Sequence, residues 1–205
     1  MKSWSLDEHG SIAWIADPDE RMQRASVALA LDGGCLVFDP VDAEGLDDVL
    51  GGIGRVLGVC SLLDRHGRDS AALARRHGAP RLTPAELGRS TAYPELETRE
   101  LFRARRWHET AVWLAQRRLL IVPESVGTIP FFLARRTDRL GMHPLARLKP
   151  PRAALARLDA ETIAVGHGAP VVGGAAPELR RVLTGARTDL PRALLTTVSA
   201  LRRRR

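Results

Sequence analysis

Cysteine, lysine, aromatic residues and long apolar runs are all scarce in this chain of 205 residues. The two cysteines, Cys35 and Cys60, are far apart and belong to no C-x-x-C pair. We therefore expect buried thiols, and neither a disulfide framework nor a cysteine-based metal site. The longest aliphatic stretches are far shorter than the roughly 18 apolar residues of a membrane-spanning helix. Because the first residues also lack the apolar core of a secretory signal, we expect a cytoplasmic protein with no membrane contact.

The positive charge of the chain consists almost entirely of arginine. Of 31 basic residues only Lys2 and Lys149 are lysines, and the formal net charge of +7 falls to +3 without the four arginines at 202–205. Arginine binds phosphate groups but also covers solvated helix surfaces, and the second role is the expected one here. Only 4% of the residues are aromatic, and no motif interleaves aromatic and basic residues as RNA-reading modules do. Nucleic-acid binding is therefore a minor alternative.

Length and composition predict one globular domain. Hydrophobic residues make up 44% and charged residues 27% of the chain, a balance that excludes a largely disordered chain and a fibrous protein. A chain of this length has little room for a second core. Residues 1–205 are therefore predicted to form a single domain that includes the C-terminal helices and the basic tail. The oligomeric state is left open.

Strands and helices alternate along the predicted domain. The alternation in residues 26–31, the glycine-containing turn after them and the apolar residues 35–38 predict a hairpin. The other predicted elements are a helix at 45–50 ended by Gly51 and Gly52, a strand at 56–63, a helix capped by Asp69 and Ser70, a second hairpin at 110–115 and 119–122, a strand at 162–165, and two helices that start at Pro177 and near Pro191. Residues 83–99 are predicted to form a short helix and surface connections.

Carboxylates and histidines follow several of the predicted strands, where mixed folds tend to build ligand sites. Asp69 lies in the loop after the strand at 56–63, Glu124 follows the second hairpin, and His167 follows the strand at 162–165. His108 comes just before the second hairpin. Each by itself is typical of a capping or solvated residue, but all four are metal-ligand types. They are the candidate ligands, and the expected cofactor is either none or one divalent metal ion, zinc, manganese or iron.

The order of these elements, with candidate ligands after strands and Gly-His-Gly at 166–168, resembles the metallo-β-lactamase-fold hydrolase superfamily over most of the chain. The resemblance implies an α/β fold of the α+β kind, a four-layer αββα sandwich with the active site along one edge. The first motif of the family reads Thr-His-x-His-x-Asp-His. With the motif aspartate placed on Asp69, its histidine positions fall on Arg65, Gly67 and Ser70, so all three histidines are absent.

The resemblance also assigns the candidate residues to the two metal ions of the family. His108 is similar to the mid-chain histidine of the first site, Glu124 stands where the bridging aspartate is expected, and His167 is similar to the final histidine ligand. The first site would keep only His108 and would face the permanent cation Arg65. The second would keep Asp69, Glu124 and His167, and three protein ligands are enough for a catalytic zinc ion. We expect a degraded dinuclear site that lacks two-metal hydrolysis.

A second interpretation fills the pocket without a metal ion. The guanidinium of Arg65 then replaces the metal charge and pairs with Asp69 or Glu124, which predicts that Arg65→Ala destabilises the fold. His66 becomes a metal ligand only if the loop at 64–69 shifts by one residue against the motif. The sequence leaves the register of this loop open.

Three functions follow from these alternatives. The first is a degraded hydrolase-fold protein without metal catalysis, which binds a small anionic ligand or a partner through Arg65, Arg68 and their neighbours. The second is a single-metal hydrolase of an ester, thioester, lactone or phosphodiester, the range that the resemblance implies. The third is nucleic-acid binding, which the arginine content favours and the low aromatic content opposes.

Overall fold

A computed structural model of the protein describes the backbone of residues 1–202 and the side chains of residues 1–196. Residues 203–205 of the predicted basic tail lie outside the described residues. The helices are α1 (Leu46–Ile53), α2 (Ser70–Arg76), α3 (Pro84–Arg89), α4 (Arg152–Leu155), α5 (Ala175–Gly185) and α6 (Leu190–Arg202). Within residues 1–202 no helix combines the length and the apolar character that a membrane span requires.

A six-stranded sheet forms the N-terminal half of the sandwich. Its strands, which follow one another in chain order, are β1 (Lys2–Ser5), β2 (Ile12–Ile15), β3 (Ala25–Leu31), β4 (Gly34–Phe38), β5 (Val56–Cys60) and β6 (Arg81–Leu82). The predicted first hairpin is confirmed, because β3 and β4 pair antiparallel around the two-residue turn Asp32 and Gly33. A positive φ of 81° at Gly33 suits this tight turn. Strands β4, β5 and β6 pair in parallel.

A four-stranded sheet forms the other half. The remaining strands are β7 (Glu97–Ala104), β8 (Trp107–Leu114), β9 (Leu119–Val122), β10 (Val126–Gly127), β11 (Gly141–Met142) and β12 (Thr162–Val165). The second sheet has the order β12-β9-β8-β7, and β10 pairs with β11 in a separate two-stranded ribbon. Strands β8 and β9 confirm the second predicted hairpin, and β12 pairs with β9 in parallel.

Side-chain alternation along the central strands produces four layers. On β4, Leu36 and Phe38 point into a core between the two sheets, whereas Cys35 and Val37 point outward to helices α1 and α2. On β9, residues 119 and 121 enter the same inter-sheet core, and residues 120 and 122 pack on the opposite side with α5. Because successive strand residues face opposite sides of a sheet, each central strand is buried on both faces. The predicted αββα sandwich is confirmed.

Several element boundaries differ from the sequence-based predictions. Helix α1 continues through both predicted stop glycines and ends at Ile53, and the C-cap residue Gly54 has a φ of 142° that favours glycine. Strand β5 ends at Cys60, and the residues after it instead contact β8 through hydrogen bonds such as Thr110 N to Leu62 O. Strands β1, β2 and β7 were not predicted. Strand β7 is an edge strand of the second sheet, and only one of its eight residues is buried, so its sequence lacks an apolar pattern.

The two cysteine thiols are predicted to be unreactive in the folded protein. Both are free and buried, and burial raises the pKa of Cys35 to about 11 and that of Cys60 to about 12. Because the thiolate is the reactive form, a chromogenic disulfide reagent at about pH 8 should label neither cysteine in folded protein and both after denaturation. Labelling of folded protein faster than global unfolding would contradict the burial of these residues.

Candidate active site

Four loops at the carboxyl ends of strands meet at one edge of the sandwich. Asp39 directly follows β4, His66 lies in the loop between β5 and α2, Glu124 follows β9, and His167 follows β12. The two sheets are joined here by a hydrogen bond from Ala25 N to the carbonyl oxygen of residue 166. All four side chains are buried. The parallel pairs β4-β5 and β9-β12 therefore bring two carboxylates and two imidazoles together at this edge of the sandwich.

The two glycines beside His167 allow the end of β12 to lie close to the loops around it. A Cβ atom at Gly166 would overlap the carbonyl group of Pro123, so only glycine lets β12 end beside the loop that carries Glu124. Gly168 has a φ of 95°, and a side chain there would also overlap Thr128. The sequence Gly-His-Gly thus supplies a histidine to the site, and its two glycines leave the space that the surrounding backbone needs.

Glu124 lies at the centre of the cluster. Its Oε2 atom is 3.1 Å from Nε2 of His167 and 3.2 Å from Nε2 of His66, and its Oε1 atom is 3.6 Å from Nε2 of His143. Nδ1 of His66 is 3.3 Å from Oδ2 of Asp39. Burial opposes ionisation, but the contacts with His167 and His66 outweigh it and hold the pKa of Glu124 well below its usual range.

The hydrogen-bond pattern requires a cation within this cluster. Nδ1 of His167 is 2.9 Å from the carbonyl oxygen of Met22, which can only accept, so Nδ1 carries a proton. In a neutral ring Nε2 then presents a lone pair to Glu124 at 3.1 Å. A second proton or a metal ion must lie between these two acceptors. For His66, burial lowers the pKa, but contacts with Asp39 and Glu124 outweigh it and raise the pKa overall.

His66, Glu124 and His167 form a group that could hold a metal ion. One ligand atom from each residue lies within 4.8 Å of the other two. Adjacent ligands of a metal with bonds of about 2.1 Å lie roughly 3.0–3.4 Å apart, close to the separations of 3.1 and 3.2 Å around Glu124. Two imidazoles and one carboxylate suit zinc and non-haem iron. Among the residues described, this is the one group of three or more potential ligands that lies close enough together.

The guanidinium of Arg68 lies next to the cluster. It donates to the carbonyl oxygens of Ala25 at 2.6 Å, Asp39 at 2.9 Å and Gly166 at 3.1 Å, and its Nη2 atom is 3.5 Å from Nε2 of His66. The Nε atom of Arg68 is shielded from solvent and has no partner among the described residues. A permanent positive charge therefore occupies this side of the cluster and would repel a second cation there.

His143 and three aromatic rings form the outer wall of the site. The imidazole of His143 lies 4.8 Å from the ring of Trp107, 5.2 Å from Phe131 and 5.9 Å from Phe132, measured between ring centres. Its Nδ1 atom accepts a hydrogen bond from Leu145 N, so Nε2 carries the proton of the neutral ring and faces Glu124. Burial lowers the pKa of His143 to about 4.

A fully buried carboxylate, Glu109, supports both Glu124 and the aromatic wall. It accepts hydrogen bonds from Glu124 N at 3.0 Å, Ser125 N at 2.7 Å, Ser125 Oγ at 2.6 Å and Trp107 Nε1 at 2.7 Å. Burial raises the pKa of Glu109, and the hydrogen bonds from its neighbours oppose that rise. Removal of this acceptor would leave several buried donors unpaired.

The structure brings together two of the four predicted metal ligands, Glu124 and His167, and adds His66 to them. His108 is exposed on β8 and lies 3.4 Å from Glu100, because alternation on the strand turns the next residue, Glu109, inward. Asp69 precedes α2 and accepts a hydrogen bond from Asp42 N at 2.8 Å. Neither His108 nor Asp69 belongs to the cluster.

The expected ion pair of Arg65 with Asp69 or Glu124 is wrong. Arg65 is exposed, donates to the carbonyl oxygen of Arg106 at 3.0 Å, and lies 5.0 Å from the centre of the Trp107 ring. The internal cation is instead Arg68. His66 thus lies in the site, a position expected from the sequence only if the loop at 64–69 shifts by one residue against the motif.

Sequence reasoning missed Asp39, His143 and Glu109 as parts of the site, and it named Arg68 only as an arginine that could bind an anionic ligand. Asp39 directly follows an apolar strand, so the rule that singled out Glu124 also applies to it. Glu109 interrupts a strand whose neighbours are otherwise largely apolar, which is a signal of a buried functional carboxylate. His143 carries no such signal, because its position depends on the long excursion between β9 and β12.

Comparison with solved structures identifies the fold. Rubredoxin oxygen:oxidoreductase from Desulfovibrio gigas superposes with a TM-score of 0.63 at 14% identity, over 90% of this chain and 61% of that one. An NDM_FIM-1 like metallo-β-lactamase from Erythrobacter litoralis, in its mono-zinc form, gives 0.55 at 13% identity over 95% and 96% of the two chains. The protein TTHA1623, in a di-iron-bound form, gives 0.52 at 17% identity over 78% and 93%.

The chain has the metallo-β-lactamase fold. Structures that share it with this protein bind zinc or iron, and the His66, Glu124 and His167 cluster lies where four strand ends meet. No family model and no curated protein matches the sequence. Sequence identities as low as these establish a shared fold but not a shared reaction.

Arg68 and Arg65 should differ sharply in their contribution to stability. Arg68→Ala removes a charged donor from three carbonyl groups and is expected to lower the free energy of unfolding by about 3 kcal/mol. Arg65→Ala, on the exposed face of Trp107, should cost less than about 1 kcal/mol. Urea unfolding of both variants tests this order. Equal losses, or a larger loss for Arg65→Ala, would restore the ion-pair account of Arg65.

The lowered pKa of His143 makes stability depend on pH. In metal-free protein the neutral ring is favoured by folding, so this contribution is fully present above the unfolded pKa near 6.5 and is lost as the pH falls towards about 4. The loss amounts to at most about 3 kcal/mol. Unfolding free energies measured across this range should show a shallower pH dependence in His143→Asn. An NMR titration midpoint of His143 near its unfolded value would contradict the prediction.

Proposed function

We propose that the protein is a single-metal hydrolase that uses the metallo-β-lactamase fold without the two-metal reaction. One divalent ion, zinc, iron or manganese, is held by His66, Glu124 and His167. The observation that carries this proposal is the convergence of Nε2 of His167 and Nε2 of His66 on one carboxylate oxygen of Glu124, at distances of 3.1 and 3.2 Å. When both rings are neutral, these three acceptors need a cation at their centre.

The surroundings of the cluster support one ion rather than two. A second ion would need further ligands, but His108 and Asp69 point elsewhere and make their own contacts. Asp64, at the first histidine position of the shifted motif, is exposed. Arg68 adds a fixed positive charge beside His66. We therefore infer that the dinuclear site of the fold is degraded in this chain.

The residues of the chain supply the rest of the proposed mechanism. When bound, the ion supplies Lewis-acid chemistry, which polarises a carbonyl or phosphoryl oxygen and makes water a stronger acid. His143 is neutral near pH 7 and holds its proton at Nε2, where it can donate to an oxygen atom of the reacting group. Bulk water is excluded from one side of the site by the rings of Phe131, Phe132 and Trp107. The substrate class is an ester, thioester, lactone or phosphodiester.

A second candidate function is favoured by Arg68. If His66 is protonated, its contacts with Asp39 and Glu124, together with the Arg68 guanidinium, complete a network of opposite charges without a metal ion. The protein would then be a binding protein for a small anionic ligand. Nucleic-acid binding stays a prediction from the sequence alone.

Metal content is the first test. Untagged protein is dialysed against metal-free buffer, loaded with zinc, manganese or iron, dialysed again and analysed by elemental mass spectrometry. The proposal expects about one equivalent to be retained, because retention requires several preorganised ligands. His66→Ala and His167→Ala should each lose it, whereas His108→Ala and Asp69→Asn should keep it. Two equivalents would contradict the loss of the dinuclear site.

Activity and metal content together separate the two candidates. If no metal is retained under any loading, the single-metal proposal is wrong and the anion-binding candidate takes its place. If about one equivalent is retained, a panel of chromogenic esters, thioesters, lactones and phosphodiesters should contain a substrate whose hydrolysis is lost in His167→Ala. Activity that survives in His167→Ala would place the reaction outside this cluster.

A further inference from the structure

We propose that Arg65 is a specificity-determining residue that binds an oxyanion group of the substrate, a carboxylate or a phosphate, at the mouth of the site. This proposal rests on the proposed function for the reaction itself, but the binding of the anion is independent of the metal ion. The juxtaposition that carries it is an exposed guanidinium on the ring of Trp107, which is connected to the catalytic cluster through His143.

The position of Arg65 follows from a chain of contacts. His143 lies 3.6 Å from Glu124, the Trp107 ring lies 4.8 Å from the His143 ring, and the Arg65 guanidinium lies 5.0 Å from the centre of the Trp107 ring. Arg65 also directly precedes His66 in sequence. A substrate whose reacting group reaches Glu124 along the aromatic wall would place its next substituent beside Arg65.

Arg65 is held in place before any ligand arrives. Its Nη1 atom donates to the carbonyl oxygen of Arg106 at 3.0 Å, and its guanidinium lies over the ring of Trp107. Trp107 is itself fixed, because its Nε1 atom donates to the buried carboxylate of Glu109 at 2.7 Å. A cation on a fixed aromatic platform loses little conformational entropy on binding, which favours affinity.

The remaining donors of Arg65 suit an oxyanion. A guanidinium has several N–H donors in a planar fork that matches a carboxylate or phosphate, and one of them is used by the carbonyl group of Arg106. Arg105 and Arg106, both exposed on the turn between β7 and β8, add positive charge at the same rim. Among residues 1–196, no carboxylate forms an ion pair with any of these three arginines.

Glu109 connects the proposed metal site with the proposed anion site. The same carboxylate that accepts from the backbone of Glu124 and Ser125 also accepts from Trp107, so one buried group fixes a proposed metal ligand and the platform of the anion site. We assign Glu109 as a positioning residue. Through these hydrogen bonds, Glu109 would fix the distance between Glu124 and Arg65, and with it the distance between the reacting group and the anionic group of the substrate.

Binding of unreactive anions to the metal-free protein tests the proposal. Phenylphosphonate and benzoate carry the two oxyanions, and benzyl alcohol is the matched neutral compound. Isothermal titration of chelator-treated protein should show that at least one of the two anions binds, more weakly at high salt, and that benzyl alcohol does not. Arg65→Gln should weaken that binding about tenfold or more, and Arg65→Lys should weaken it less. Which anion binds tighter distinguishes a phosphate-bearing from a carboxylate-bearing substrate.

Arg75→Gln is the matched control, because Arg75 is an exposed arginine on α2 and its loss changes the net charge equally. It should bind the anion as the unaltered protein does. Trp107→Ala should weaken binding as Arg65→Gln does, since it removes the platform. Absence of anion binding at millimolar concentration, or equal binding by Arg65→Gln and the unaltered protein, would overturn the proposal whatever the metal analysis shows.

Discussion

The contact on which the site depends is that of one guanidinium with three backbone carbonyl groups. Arg68 donates to Ala25 at the start of β3, to Asp39 after β4, and to Gly166 after β12, so it joins both sheets at the edge where the loops converge. A charged donor shared by three carbonyls is a strong contact, and it is also a source of positive potential. The carboxylates of Asp39 and Glu124 are tolerated in a buried setting because that potential, together with the histidines, offsets their charge.

The buried carboxylates Glu124 and Glu109 have different tasks. Glu124 faces imidazole nitrogens and is the charged centre of the cluster. Glu109 is surrounded by donors from the backbone, a serine and a tryptophan, so its charge is used for positioning. The difference lies in the strand that carries each one. Glu124 follows the carboxyl end of a strand, whereas Glu109 lies within β8 and points into the protein from there.

Individual strands and hairpins could be predicted because alternation and strand-end loops are local signals, whereas the four-layer arrangement was predicted from the resemblance to a known family. The hairpins around Gly33 and before Glu124, and the strand before His167, were predicted from a few residues each. The register of the loop after β5 was not, since it is set by hydrogen bonds to β8, such as Asp64 N to the His108 carbonyl, that no local pattern shows. That single register decided whether Arg65 or Arg68 is the internal cation, and whether His66 belongs to the site.

A proton and a metal ion are alternative cations for the same place. With neutral imidazoles the two carboxylates of Asp39 and Glu124 outnumber the single charge of Arg68, so the cluster carries a net negative charge that either a proton on His66 or a divalent ion offsets. Metal ligands must be deprotonated before they bind, so the two occupants exclude each other at His66. Other proteins with this fold hold two metal ions, whereas the site of this protein suits either one metal ion or a network of ion pairs without a metal. The carbonyl contacts of Arg68 involve neither Nε2 of His66 nor the carboxylate of Glu124, so the scaffold of the site is the same in both cases.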